Sequence, residues 1–121
     1  MMATLEAARD ALAEITGVAS CKIGLETGIS PIEWPLIRLV PDRLLPGKPY
    51  GHRTVEVSIF FGMDIGESED GLQAVYAAAF ELEAAILVVL KTLQGRYLET
   101  VTDSDRLPTY KLMAVRCELV G

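Results

Sequence analysis

Apolar positions along this chain recur in two rhythms, one of about 3.6 residues and one of two. The helical rhythm is strongest between Gly71 and Gly95, in GLQAVYAAAFELEAAILVVLKTLQG. That stretch has no proline and is rich in Ala and Leu, the best helix formers. Asp70 and Gln73 are spaced as a capping box, and Gly95 is placed as a C-terminal stop. At 100° per residue, Leu72, Val75, Tyr76, Ala79, Leu82, Ile86, Leu90 and Leu93 share one face, the stripe of a helix lying on a sheet. The opposite face carries Ala74, Ala77, Ala78, Ala84, Ala85 and Val88, with Glu81 alone among them. A helix apolar nearly all round is covered on both sides, here by another helix of the chain or by another copy. A shorter helix is predicted over residues 4–16. Leu5, Ala8, Leu12 and Ile15 form its stripe, Thr4 caps its start and Gly17 ends it.

The two-residue rhythm predicts strands. Residues 18–25 alternate with Ala19, Cys21, Ile23 and Leu25 on one side. Residues 34–40, WPLIRLV, form a second strand with Pro35 at its start or edge. Residues 41–51, PDRLLPGKPYG, read as a long punctuated connection that exposes Leu44 and Leu45. Residues 52–63 are the clearest strand. Val55, Val57, Ile59, Phe61 and Met63 form a core face, and Thr54, Glu56 and Ser58 a face expected to be largely wet. Residues 64–70 read as an acidic loop. Strands over 96–103 and 109–120 close the chain, with a turn at Asp103-Ser104-Asp105. The order α-β-β-β-α-β-β predicts an α+β fold, a mostly antiparallel sheet of about five strands with both helices on one face.

Composition sharpens this picture only in part. At 121 residues, half of them hydrophobic and 23% charged, the chain is expected to be one globular domain spanning 1–121. A net charge of −6 argues against a general nucleic-acid binder. Cys21 and Cys117 each lie in an alternating apolar run and read as buried free thiols, with a disulfide between neighbouring strands as the alternative. The N-terminal MMATLEAARD lacks the layout of a secretion signal, and Glu81 and Glu83 in mid-span argue against a transmembrane reading of the long helix.

Candidate chemistry is sparse. His52 is the only histidine and reads as a strand-edge residue; no G-x-S-x-G, P-loop, G-x-G-x-x-G or C-x-x-C motif occurs. Asp64, Glu67, Glu69 and Asp70 lack the spacing of a calcium loop and suit the start of a helix dipole. No catalytic residue, metal or cofactor is therefore expected. Arg38, Arg43, Lys48 and Arg53 cluster around the long connection, either as solvated loop charges or as a contact surface for an acidic partner or a neighbouring subunit.

A resemblance adds to these readings. The first helix, the strand with W-P-L-I-R-L-V-P before a long loop, the strand R-T-V-E-V-S-I-F-F, an acidic break, a long helix and two closing strands together resemble the tail terminator and minor tail proteins of tailed bacteriophages and prophages. The likeness spans nearly the whole chain. It implies a structural, non-enzymatic protein that closes into a ring, typically a hexamer. Its partners would be copies of itself, the tail tube protein and a head-completion or connector protein, without nucleic-acid sequence recognition or a membrane. Such a protein is assembled in the bacterial cytoplasm and ends in the virion tail. Neck or head–tail joining and tail completion are the neighbouring roles. A small oligomeric ligand-binding module is the reading from another class, and a closed core cavity would favour it. The candidate contact residues are Arg43, Leu44, Leu45, Lys48 and Tyr50 in the first connection, and Asp64, Glu67 and Glu69 in the second.

Overall fold

A computed structural model describes residues 1–25, 29–47, 53–64, 71–105 and 110–121. Its elements run α1 (Met2–Ala13), β1 (Ser20–Ile23), a short 3-10 turn (Pro31–Glu33), β2 (Leu36–Leu45), β3 (Thr54–Asp64), α2 (Gly71–Thr92), β4 (Arg96–Asp105) and β5 (Tyr110–Val120). This is the expected α+β order. The five strands form one sheet in the order β1-β2-β3-β5-β4, with only the β1–β2 pair parallel.

β3 is central because its eleven residues pair with β2 on one side and β5 on the other. Val55, Val57, Ile59 and Phe61 lie beside Ile37 and Leu39 of β2 and Met113, Val115, Cys117 and Leu119 of β5. Leu5, Ala8 and Leu12 of α1 and Ala79, Leu82, Ile86 and Leu90 of α2 complete the same cluster. Both helices therefore lie on one face of the sheet.

The other face is less wet than the alternation predicts. Leu36, Arg38, Glu56, Ser58, Leu112 and Ala114 are all buried there. A central strand is hemmed in on both sides, and long neighbouring side chains lie across it. Arg43 pairs with Glu56, Arg116 Nη1 lies 3.0 Å from Glu99 Oε1, and Arg96 Nη1 lies 3.6 Å from Glu118 Oε2. These cross-strand ion pairs bridge β2 to β3 and β4 to β5.

The helix ends depart from the expected caps. α1 begins at Met2 with Met1 as N-cap, so Thr4 lies inside the helix and makes no side-chain cap bond. It stops at Ala13 because the chain tightens into three-residue bonds, Glu14 N–H to Ala11 O and Ile15 N–H to Leu12 O, before Gly17 turns at φ +91°. At the end of α2 the left-handed residue is Gln94, at φ 57°, one position before the expected glycine. Gly95 N–H bonds to Leu90 O at 2.9 Å and Gln94 N–H to Lys91 O at 3.2 Å, the bond pair of a Schellman ending. Gly95 has a different duty: a Cβ there would meet Leu119 Cδ2 at 3.0 Å. At the other end, Leu72 is 47% exposed although its angle places it on the stripe. The main cluster takes its first α2 residue at Ala79, so the first turn runs ahead of the sheet. Asp70, the expected cap, lies outside the described residues.

Candidate functional site

Residues 41–45 are strand, not the start of a loop. β2 runs through Pro41 to Leu45, and its register with β3 shifts between Pro41 and Arg43. That shift is a bulge, where proline is tolerated inside a sheet. Position helps as well. Leu39 O accepts from Gly24 N–H, so the backbone of Leu39 faces β1, and Pro41 faces the same way past the last residue of β1. The missing N–H therefore costs no ladder bond. Beyond the bulge, Arg43 is exposed against Glu56, Leu44 is 45% exposed opposite Val55, and Leu45 is half-buried. Arg53, just before β3, is also exposed. This end of the β2–β3 pair is thus both cationic and apolar. The arginine holds the Glu56 carboxyl below its ordinary range by hydrogen bonding first and charge second. Of the other expected contact residues, Lys48, Tyr50, Glu67 and Glu69 lie outside the described residues, as do His52 and the 106–109 turn; Asp64 ends β3. Asp103 to Asp105 continue β4 rather than turn, through a register shift after Val101.

Arg38 does not belong to the basic cluster. It is fully buried, on the sheet face away from the helices. Its Nη1 donates to Ser20 Oγ at 3.0 Å and to Ile37 O at 2.9 Å, and its Nη2 to Glu33 Oε1 at 3.3 Å. Glu33 also accepts from Lys22 Nζ at 2.9 Å and from Ser30 N–H at 3.0 Å. These two bonds, then the charges of Lys22 and Arg38, hold the Glu33 carboxyl below the ordinary range. The network ties the Pro31–Glu33 turn across β1 and β2. Arg suits this place because its fork satisfies several acceptors at once. Strand alternation puts Arg38 on the face opposite Ile37 and Leu39, and there it is buried between neighbouring strands and bonded to Ser20 of β1 and Glu33 of the turn.

Two shallow grooves flank the outer side of α2. The first holds about 330 Å³ between the C-terminal end of α1 and the middle of α2. Ile15, Val18, Pro35, Met63, Ala78 and Ala85 wall it, and Glu81 lies on it. It runs into a second hollow through Ile15, Thr16 and Ala85, which adds Glu14, Val88 and Val89. α1 thus covers only one flank of the alanine face. Ala74, Ala78 and Ala85 are half-buried, whereas Ala77, Ala84 and Val88 are exposed, Val88 by 65%. On the other flank Tyr76 and Phe80 stack at 6.0 Å beside Thr102 of β4, with Phe80 half exposed. The segment Leu72–Thr92 is long and apolar enough to cross a membrane by length and composition, yet here its inner stripe packs on the sheet.

The remaining candidates carry little chemistry. Cys21 is half-buried and Cys117 buried, both as free thiols. Burial pushes Cys21 up to about 11, against the pull of Arg38 and Arg9, and Cys117 up to about 12, with Asp42 and Glu118 adding to the rise. Thiols so raised stay protonated and unreactive near neutral pH. Among the described residues, no three His, Cys, Asp or Glu side chains come together as metal ligands. Compared with protein-family models and with curated proteins, the chain matches none.

Sequence reasoning placed Leu44 and Arg43 at the surface and marked the outer face of α2. It missed the groove at the end of α1 and the Arg38 network. The groove forms from residues far apart in sequence, so no local pattern marks it. The length of β3 was a usable signal for β2: eleven alternating residues need a partner longer than WPLIRLV.

Proposed function

We propose that this chain is a structural, non-enzymatic protein of a phage or prophage tail, a ring-forming terminator that caps the tail tube and offers the surface to which the head joins. Its element order supports this reading, and the observation that carries it is the outer face of α2. Ala77, Phe80, Ala84 and Val88 are exposed along one helix whose other side is already in the core. Apolar surface of this kind on a small domain is buried when subunits assemble. A tail tube grows by stacking identical rings through a head-to-tail contact that has no natural end. A ring that matches the last tube ring on one side and does not repeat the growing face stops it without chemistry. The ring size expected from the resemblance is six.

Deleting the gene from the parent phage or prophage tests the proposal. Electron micrographs are expected to show filled heads without tails, and separate tails of irregular or excessive length. Adding the purified protein to the lysate is expected to restore joining, because a cap acts by mass action. Normal-length tails joined to heads would overturn the reading, and normal-length tails left unattached would replace the terminator role with that of a neck-joining protein.

A further inference from the structure

We infer that the groove between α1 and α2 is a docking site for an apolar helix of a different protein, one that carries lysine or arginine beside its apolar face. The groove follows one side of α2. Ala78, Glu81 and Ala85 line its first part and Ala85, Val88 and Val89 its second, and Ile15, just after α1, borders both. From Ala78 to Val89 this is roughly 16 Å of helix, about three turns. Pro35 and Met63 add apolar wall from the sheet side. A furrow of that length with apolar walls is the shape that takes the apolar face of an amphipathic helix.

Charge selects the partner. Among the described residues, the only charged side chains along the groove are the carboxylates of Glu81 and Glu14, one in each part. Both are exposed. Neither forms an ion pair, whereas Glu33, Glu56, Glu99 and Glu118 of the same chain each lie against a lysine or arginine. An acidic helix would be repelled by these two groups, and a basic one meets both at the rim. The helices of this chain do not fit that description. By side chains, α1 carries Glu6, Arg9 and Asp10, and α2 carries Glu81, Glu83 and Lys91, so each is net negative. The occupant is therefore a helix of a non-identical chain.

Two fluorescein-labelled peptides test this on the purified chain, apart from any tail assembly. Each is a helix of about 14 residues, roughly 21 Å long, with Leu and Ala on one face; one carries Lys beside that face and its twin carries Glu. Fluorescence anisotropy is expected to show the Lys peptide binding at roughly tens of micromolar and its twin about tenfold or more weakly. Glu81→Lys is expected to weaken the Lys peptide about tenfold or more, and Ala85→Trp, which fills the groove, to do the same. Glu6→Lys makes the same charge change on exposed α1 surface outside the groove, and it is expected to stay within about twofold of wild type. Circular dichroism checks the fold of each variant, and Glu14→Lys takes the place of Glu81→Lys if that variant does not fold. Sedimentation velocity is expected to read the same self-association for wild type and Glu81→Lys. A Lys peptide that does not bind by about 1 mM, binding indifferent to Glu81→Lys, or an equal loss with Glu6→Lys would each overturn the assignment. So would self-association lost in Glu81→Lys, which would give the groove to a second copy.

Discussion

Arg38 is the residue where physical cost and position are most tightly bound together. A guanidinium removed from water is stable only when its donors are satisfied, and Ser20, Ile37 and Glu33 do this from two strands and a turn. Arg38→Ala would leave Ser20 and the Ile37 carbonyl without their donor and release the turn. The expected loss is about 2–4 kcal/mol in urea unfolding; a loss below about 1 kcal/mol would show that the network is not holding the turn. Glu33 adds a pH sign to this network. Its folded value lies below the ordinary 4.5. Its contribution is complete above the unfolded value and is lost as pH falls through the lower folded one. The exposed arginines are placed differently: Arg38 lies mid-strand between β1 and β3 beside the turn, whereas Arg43 lies past the end of β1 and Arg53 before the start of β3.

At the scale of elements, the long helix is the best example of a rule satisfied by an unexpected residue. Its ending needs one left-handed residue, and Gln94 takes that place at φ 57° while Gly95 sits beside Leu119 and Leu90. A side chain with a Cβ is strained in that conformation, by roughly 1–2 kcal/mol. Gln94→Gly relieves the strain at some entropic cost, so a net gain of about 0.5–1 kcal/mol is expected. The check is a higher urea midpoint with an unchanged slope; a lower midpoint would mean that the glutamine side chain makes contacts worth more than the strain. The second strand shows the opposite case. Pro41 looks like a terminator in sequence, yet β2 passes through it, because the bulge and the early end of β1 remove the need for its N–H.

For the whole molecule, the decisive layer is the one between the sheet and the two helices. Phe61 is fully buried in the cluster shared by α1, α2 and three strands. Phe61→Ala is expected to cost about 3–5 kcal/mol, read as a lower midpoint in a single cooperative transition. A cost near zero would place Phe61 outside the shared core. The face of α2 turned away from this layer leaves Ala77, Phe80, Ala84 and Val88 exposed, the apolar surface available to an assembly contact.

Much of this architecture is legible from periodicity. The alternation from Val55 to Phe61 and the stripe through Val75, Ala79, Leu82, Ile86 and Leu90 determined the element order, the clearest strand and the helix-bearing face, because burial on one side imposes a local repeat; that this strand is central was decided by its pairing with β2 and β5. The exposed Leu44 and the apolar outer side of α2 were visible for the same reason, as hydrophobic positions left over once the core was assigned. Other features depend on what neighbours do across the fold. Whether Pro41 ends a strand depends on where β1 stops, whether Arg38 finds acceptors depends on β1 and the Pro31–Glu33 turn, and whether Ile15, Met63 and Ala85 make one groove depends on how α1 lies against α2. Each is a contact between distant segments, which no repeat in the chain encodes, and so the tertiary structure alone decided it.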